Sequence, residues 1–320
     1  MRIMVTGGAG FAGSHLTELL VEDGTNEVMA VDRVEAPPEN LVSCQSDIRY
    51  EQVDLDEMDS VDGLFASFAP ELIYHLAAQA FVPAYEGAWE QAALGGLRTT
   101  LHIYEAITRY SPDARLVLVS SAEVYGTVFG EVSCPVDETA PTRPANVYGA
   151  TKLALEHYAS SVHAQKGLDV VILRPFNHIG PRQSPSFVCS SFAKQIAEIE
   201  RGTRPPVIHV GNLDAERDFT DVRDMVKAYK LAAARCEPND PYNICRGSTV
   251  SMRTILDMLI EMSGVEVDVA VDPARQRATD IMRVCGNGNR FRQCTGWTPE
   301  YTLEKSIEDV FVYWRNRCSG

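Results

Sequence analysis

Short apolar runs punctuate the first 175 residues of the chain, at positions 2–6, 27–31, 72–76, 116–119 and 169–173. They are too short and too continuous for amphipathic helices, and turn-forming residues bound them, so they predict strands buried on both faces. Between them, 15–23, 90–110 and 148–164 carry apolar residues at helical spacing. A more polar run at 51–54 predicts one further strand. Strands alternating with helices in this way imply a parallel sheet covered on both faces, the doubly wound α/β class. Beyond position 175 the alternation loosens, with helices expected at 184–200, 225–235, 252–263 and 303–317 and strands at 207–210, 242–244 and 265–271. Residues 1–175 are expected to form the main domain, with later strands returning to it. Residues 176–320 are expected to form mainly a smaller C-terminal substrate-binding lobe over its cleft.

The loop after the first strand reads G-G-A-G-F-A-G, with Gly7, Gly10 and Gly13 spaced G-x-x-G-x-x-G and a helix following. Glycines there permit a tight turn and bring backbone amides and a helix N-terminus against a pyrophosphate, as in a dinucleotide-binding Rossmann unit. Asp32 ends the next strand, about 20 residues on. A carboxylate there accepts both ribose hydroxyls and repels a 2′-phosphate, which favours NAD over NADP, while Arg33 beside it offers that phosphate a guanidinium. Asp54 and Leu55 can flank the adenine, and Asp54 can equally cap the segment that follows. The small Ala77 and Ala78 of H-L-A-A-Q let a flat cofactor lie close, and His75 reads as a packed strand-end residue.

The stretch L-V-L-V-S-S-A-E-V-Y-G delivers Ser120, Ser121 and Glu123 to a strand's C-terminal end, and Y-G-A-T-K then sets Tyr148 and Lys152 at i and i+4 on one helical face. Tyrosine, with a free pKa near ~10, is a poor base at neutral pH. An ammonium one turn away favours the phenolate, and a serine hydroxyl can share the proton. Pairs of this spacing are common by chance; what precedes this one gives it weight. In R-P-F-N-H-I-G-P, Pro175 and Pro181 bracket a rigid loop from which Asn177 and His178 can point at a ligand.

The formal net charge of -15 argues against duplex nucleic acid or an anionic membrane as the main partner. An anionic small substrate then needs a local arginine cluster. Arg217, Arg275 and Arg277, on loops of the second lobe, supply one suited to a diphosphate. The chain opens directly on a strand, no apolar run nears the ~20 residues of a membrane span, and its cysteines show neither C-x-x-C pairs nor metal-ligand spacing with histidine. A cytoplasmic protein with reduced, mostly buried thiols and no metal centre is expected.

Together, G-G-A-G-F-A-G, H-L-A-A-Q, S-S-A-E-V-Y-G, Y-G-A-T-K, R-P-F-N-H-I-G-P and R-D-F-T-D-V-R-D resemble the extended short-chain dehydrogenase/reductase family over essentially the whole chain. These are the NAD-dependent nucleotide-sugar epimerases and dehydratases. Within the family, F-A-K-Q-I-A-E-I-E-R-G, V-G-N-L-D-A-E-R-D-F-T-D-V-R-D and D-P-A-R look most like GDP-mannose 4,6-dehydratases, with GDP-4-keto-6-deoxymannose reductases close behind. The resemblance implies that Tyr148 takes the C4 hydroxyl proton as hydride passes to NAD, that Lys152 holds the nicotinamide ribose, and that Ser121 hydrogen-bonds the sugar. It implies a dehydratase base at C5 for Glu123. It adds Phe11, Ala12, Leu76, Gln79 and Ser120 to the cofactor site. Asn177, Lys194, Arg217 and Arg277 match positions facing a nucleotide diphosphate, with Val188 also on the substrate side and Asp280 near the nucleoside ribose.

Two residues depart from the pattern. Ala122 replaces the polar residue that dehydratases usually carry before the glutamate, and Gly96 stands where many relatives have asparagine. A dehydratase acting on a GDP-sugar is the leading expectation. An epimerase or ring mutase, and a reductase of the 4-keto-6-deoxy sugar, are the alternatives; a non-catalytic nucleotide-binding protein is opposed by the intact Tyr148/Lys152 pair. The resemblance also implies a homodimer through the helix at 90–110 and the one bearing Tyr148, where Leu97, Leu101, Tyr104, Leu155 and Tyr158 are apolar.

Overall fold

The structure, a computed structural model, describes residues 1–36, 38–78, 89–132, 135–275 and 281–319. Strand and helix alternate through β1 (Arg2–Thr6), α1 (Phe11–Val21), β2 (Glu27–Asp32), β3 (Ile48–Gln52), α2 (Met58–Phe68), β4 (Leu72–His75), α3 (Trp89–Tyr110), β5 (Arg115–Val119), α4 (Val128–Glu131), α5 (Val147–Lys166) and β6 (Asp169–Pro175). Shorter pieces follow: β7 (Asn177–Ile179), α6 (Val188–Glu200), β8 (Val207–Val210), β9 (Glu216–Arg217), β10 (Phe219–Asp221), α7 (Val222–Arg235) and β11 (Pro241–Ile244). The chain ends with β12 (Val250–Ser251), α8 (Met252–Ser263), β13 (Asp268–Val271), β14 (Arg283–Val284), α9 (Asn289–Thr295) and α10 (Leu303–Arg317).

Seven strands form one parallel sheet in the order β11-β6-β5-β4-β1-β2-β3. Successive side chains of a strand face opposite sides. Ile3, Val5, Val28, Tyr74, Val117 and Val171 meet Leu16, Leu20, Met225 and Tyr229 of α1 and α7. Met4, Met29, Ile73, Leu116, Leu118 and Val170 meet Leu64, Phe65, Ile103, Ile107 and Leu155 of α2, α3 and α5. Both faces are dry, which is why these strands read as unbroken apolar runs. The strand order reverses at β1, so the crevice between the C-terminal ends of β1 and β4 is where such sheets take ligands.

The second lobe has its own core, in which Phe192 and Ile196 of α6, Ile255 and Leu259 of α8, and Ile307 and Phe311 of α10 pack together. Three small sheets, β10-β7, β12-β9-β14 and β13-β8, line it. The main domain is completed late: β11 pairs with β6, and α7 packs on the β1 face.

Several boundaries differ from the sequence pattern. The third strand is Ile48–Gln52 and not 51–54, because it is a polar edge strand with one neighbour and carries no apolar period. The first helix begins at Phe11, inside the glycine motif, and α7 begins at Val222 because the Asp221 side chain caps it by accepting from Arg223 N. The helix expected from 184 begins at Val188, after a turn in which Phe187 N donates to Ser184 O. The strands of two or three residues in the second lobe are too short to show a period. Of the apolar positions on α3 and α5, Tyr104 and Leu155 are buried against each other, the tyrosine hydroxyl donating to Leu155 O at 3.2 Å. Leu97 and Leu101 pack partly on the same core, whereas Leu94 and Tyr158 face outward.

Candidate active site

The cofactor end is built by the β1–α1 loop. Gly7 adopts φ +70°, and a Cβ on Gly13 would stand 2.0 Å from Gly7 O, so the loop closes only with glycine there. Gly10 is the N-cap of α1 and makes no side-chain cap bond, which leaves first-turn amides, beside Phe11 and Ala12, open to a phosphate. Asp32, at the end of β2, accepts from Ala9 N at 3.1 Å and Arg33 N at 2.8 Å, while the Arg33 side chain is exposed. This cradle and carboxylate fit a dinucleotide. Asp54 is exposed and accepts from Asp56 N at 3.0 Å. It is not the helix cap, since Glu57 holds that place in α2. Leu55 is packed into the core under α2 and α3. Leu76, Ala77 and Ala78 follow β4; Gln79 lies outside the described residues.

A polar chain, directional throughout, runs beneath this edge. Ala77 N donates to Thr6 Oγ1 at 3.4 Å, Thr6 Oγ1 meets His75 Nδ1 at 2.7 Å, and His75 Nε2 meets Thr100 Oγ1 at 2.9 Å. Because the Thr100 hydroxyl donates to Gly96 O, it must accept from His75 Nε2–H, and Nδ1 then accepts from Thr6. Burial, and secondarily the Lys152 ammonium, pushes the His75 imidazole down to about 3, so it stays neutral. His75 is a strut between β1, β4 and α3.

The candidate catalytic residues converge at the end of β5. Ser121 caps a short 3-10 turn by accepting from Glu123 N at 3.2 Å. Glu123 is half-buried, and its carboxylate accepts the Asn146 side-chain amide at 2.8 Å. The Asn146 oxygen caps α5 by accepting from Gly149 N, also at 2.8 Å. A Cβ on Gly149 would lie 2.5 Å from Glu123 O, so a glycine lets the helix approach the strand end. That approach places Tyr148 (8% exposed) and Lys152 (5% exposed) over β5, with the ammonium 5.9 Å from the phenol ring centroid. Lys152 Nζ donates to Val119 O at 2.7 Å, and burial lowers the ammonium to about 8 against a raising influence from Glu156. Ser120 is turned away, donating to the Glu156 carboxylate, which pairs with Arg174.

On the substrate side, Asn177 is exposed on β7. His178 is not aimed at a ligand: its Nδ1 bonds Phe176 O and its Nε2 the Tyr229 hydroxyl, both at 2.8 Å. Val188 opens α6, and Lys194 lies 3.7 Å from Glu198 and 5.6 Å from the Trp314 ring centroid. Arg217, in β9, donates to Glu216 O at 2.9 Å. Arg275 bonds Ser191 Oγ at 3.0 Å and pairs with Asp272, while Arg277 and Asp280 lie outside the described residues. Beside Arg217, the fully buried Asp218 accepts from Arg246 N and Gly247 N at 2.9 Å and Gly286 N at 3.3 Å, tying three loops of the lobe together. Burial pushes its carboxyl up to about 6. Asp218, Glu156 and Arg174 escaped the sequence reading. Only Glu156 left a signal, one turn after Lys152.

The family described as GDP-mannose 4,6 dehydratase matches residues 4–310. The chain belongs to that family. It is an enzyme of the extended short-chain dehydrogenase/reductase class. This dehydratase-family chain is 34% identical over 316 residues to the GDP-6-deoxy-D-mannose reductase of Pseudomonas aeruginosa, covering 99% of this chain and 98% of the relative. It is 30% identical to the UDP-glucose 4-epimerase of Mycolicibacterium smegmatis, with 99% of each chain covered. The structure of RMD from Pseudomonas aeruginosa complexed with NADPH superposes with a TM-score of 0.86 at 31% identity, covering 99% of both chains. Among the described residues of this family member, no helix is long and apolar enough to cross a membrane.

Proposed function

We propose that this enzyme transfers hydride at C4 of a GDP-bound sugar, and that it works as a GDP-4-keto-6-deoxy-sugar reductase in preference to the dehydratase first expected. The pair Ala122 and Glu123 carries the choice. Dehydration across C5 and C6 needs a proton acceptor at C5 and a proton donor for the departing hydroxyl. Ala122 has no proton to give and is 6% exposed, among Val124, Tyr125, Phe129 and Phe176. Glu123 is engaged by Asn146. Carbonyl reduction requires neither residue. A bound nicotinamide supplies the hydride. Tyr148 holds the proton destined for the C4 oxygen, Lys152 stabilises the phenolate left behind, and Ser121 orients the carbonyl. Asn177, Val188, Lys194 and Arg217 are the proposed contacts to the nucleotide diphosphate side, joined by Arg277 and Asp280. The likeness to a GDP-6-deoxy-D-mannose reductase supports this reading.

NADH is the proposed preferred cofactor, supported by Asp32 at the end of β2, whose carboxylate would repel a 2′-phosphate; Arg33 is the residue through which NADPH would be accepted. A cytoplasmic homodimer is proposed, with Leu94 and Tyr158 exposed on α3 and α5. The test supplies GDP-4-keto-6-deoxymannose with NADH or NADPH and, separately, GDP-mannose with NAD. Loss of reduced-nicotinamide absorbance in the first is expected. Release of water from GDP-mannose with a new C6 methyl signal refutes the reductase and restores the dehydratase. A new GDP-sugar of unchanged mass but altered ring form or C4 configuration makes the enzyme an epimerase or mutase.

A further inference from the structure

A buried polar network lies directly under Tyr148 and Lys152, and the hydride-transfer chemistry above does not use it. Glu156 is 5% exposed, one helical turn beyond Lys152 on the same face of α5. Arg174 of β6, 6% exposed, grips it through Nη2 at 2.6 Å and through Nε at 3.1 and 3.2 Å. Ser120, at the end of β5, donates its hydroxyl to Glu156 Oε1. Arg174 Nη1 also donates to the Tyr125 hydroxyl at 3.0 Å, and that hydroxyl donates to Asn243 Oδ1 of β11 at 2.7 Å. The Asn243 amide finishes on the carbonyls of Val136 and Asn287, at 3.1 and 3.3 Å. Three adjacent strands, β5, β6 and β11, are thus pinned by their C-terminal ends to the helix that carries the reactive pair.

Stability alone is a weak reason for such a network, because a buried ion pair is often matched or bettered by apolar residues of similar size. Its position supplies a stronger one. The hydrogen-bond partner of Lys152 Nζ is a neutral carbonyl, that of Val119. The carboxylate acting on Lys152 is Glu156, which opposes the lowering effect of burial. Among the described residues, the other titratable groups facing Lys152 and Glu156 include Tyr148 on α5, Tyr104 on α3, the neutral His75 on β4 and Arg174 on β6, with Tyr125 after β5 bonded to Arg174.

We propose that Glu156 and Arg174 are positioning residues for catalysis: Glu156 is the buried counter-charge of the Lys152 ammonium and fixes Ser120, while Arg174 balances Glu156 and locks it in place. Neither touches substrate. This rests on the reading of Tyr148 and Lys152 as the proton-transfer pair. The two residues act with opposite sign. Glu156→Gln removes the anion and leaves Arg174 unbalanced, so Lys152 loses its proton more easily. Arg174→Gln leaves the anion unbalanced, so Lys152 holds its proton more tightly.

The test is the pH profile of kcat for the full chain, with a parallel pH series of NADH affinity read by its fluorescence. In Glu156→Gln the alkaline limb is expected to move down by about one unit, about a tenfold loss above the limb, with KM for the sugar nucleotide unchanged. Glu156→Asp, which keeps the charge, restores the limb. Arg174→Gln moves it upward, and it carries the test should Glu156→Gln fail to fold. Profiles that superimpose on wild type while thermal stability falls would overturn the proposal and leave the pair structural. The NADH series needs no sugar, so a chain that binds NADH with the expected opposite shifts but reduces no sugar sinks the proposed reaction and keeps the network.

Discussion

Asn146 joins the two halves of the candidate site, and replacing it by aspartate tests that joint. One end of its amide accepts from Gly149 N and caps α5; the other donates to Glu123 Oε2, each at 2.8 Å. Asn146→Asp keeps the capping acceptor, and aspartate is as good a cap as asparagine. It also turns the donor facing Glu123 into a second carboxylate. At about 3 Å and an effective dielectric of about 20, two such charges repel by about 5 kcal/mol, an upper bound that proton uptake relieves. The shared proton raises the pair's folded pKa above the unfolded value of about 4. The variant's stability is therefore fully present below about pH 4 and is lost as pH rises through the raised value. Wild type has no such pair. Urea unfolding from pH 5 to pH 8 is expected to show a falling stability for Asn146→Asp that is absent from wild type, while Asn146→Ala loses about 1 kcal/mol of capping at every pH. An Asn146→Asp curve parallel to wild type would mean that Glu123 is not held by Asn146, and the choice of reductase over dehydratase would then rest on Ala122 and the likeness to the reductase without Glu123.

Asp218→Asn tests the clasp of the second lobe. Burial holds the wild-type carboxyl at about 6 against 3.8, so its contribution is greatest below the unfolded value and falls as pH rises through about 6, by about 3 kcal/mol in all. The asparagine variant should melt lower throughout, since its amide nitrogen faces N–H donors, and should lack that slope between pH 4 and pH 7; an unchanged slope refutes the assignment. Cys236 and Cys294 sit with their sulfurs 3.4 Å apart, the first buried and the second exposed. Incubation with glutathione disulfide should join them and raise Tm by closing the loop that contains much of the second lobe, detectable as a cross-linked peptide pair. Its absence in wild type under conditions that oxidise Cys294 alone counts against that geometry.

Local chemistry was readable in the chain. The glycine loop, the Asp32 strand end and the Tyr148/Lys152 spacing each depend on residues within a few positions of one another, and backbone sterics or one helical turn decides what they can do. The parallel sheet was readable too, because strands buried on both faces cannot hide polar residues. The reach of the network was not. Glu156 meets Arg174 across 18 positions and Ser120 across 36, and Tyr125 finds Asn243 across 118. The meaning of Glu123 changed for the same reason: its partner Asn146 lies 23 positions away. The edge strand β3, the short strands of the second lobe and the clasp at Asp218 left no periodic trace, because pairing to distant backbone defines them. Sequence by itself determined the class of sheet and picked out the glycine loop and the Tyr148/Lys152 pair as the candidate cofactor cradle and proton-transfer pair, since these follow from covalent neighbours and burial pattern. Tertiary structure alone decided which buried charges face Lys152 and what Glu123 is bound to, since a buried polar group is defined by the partner that satisfies it, and those partners come from other strands.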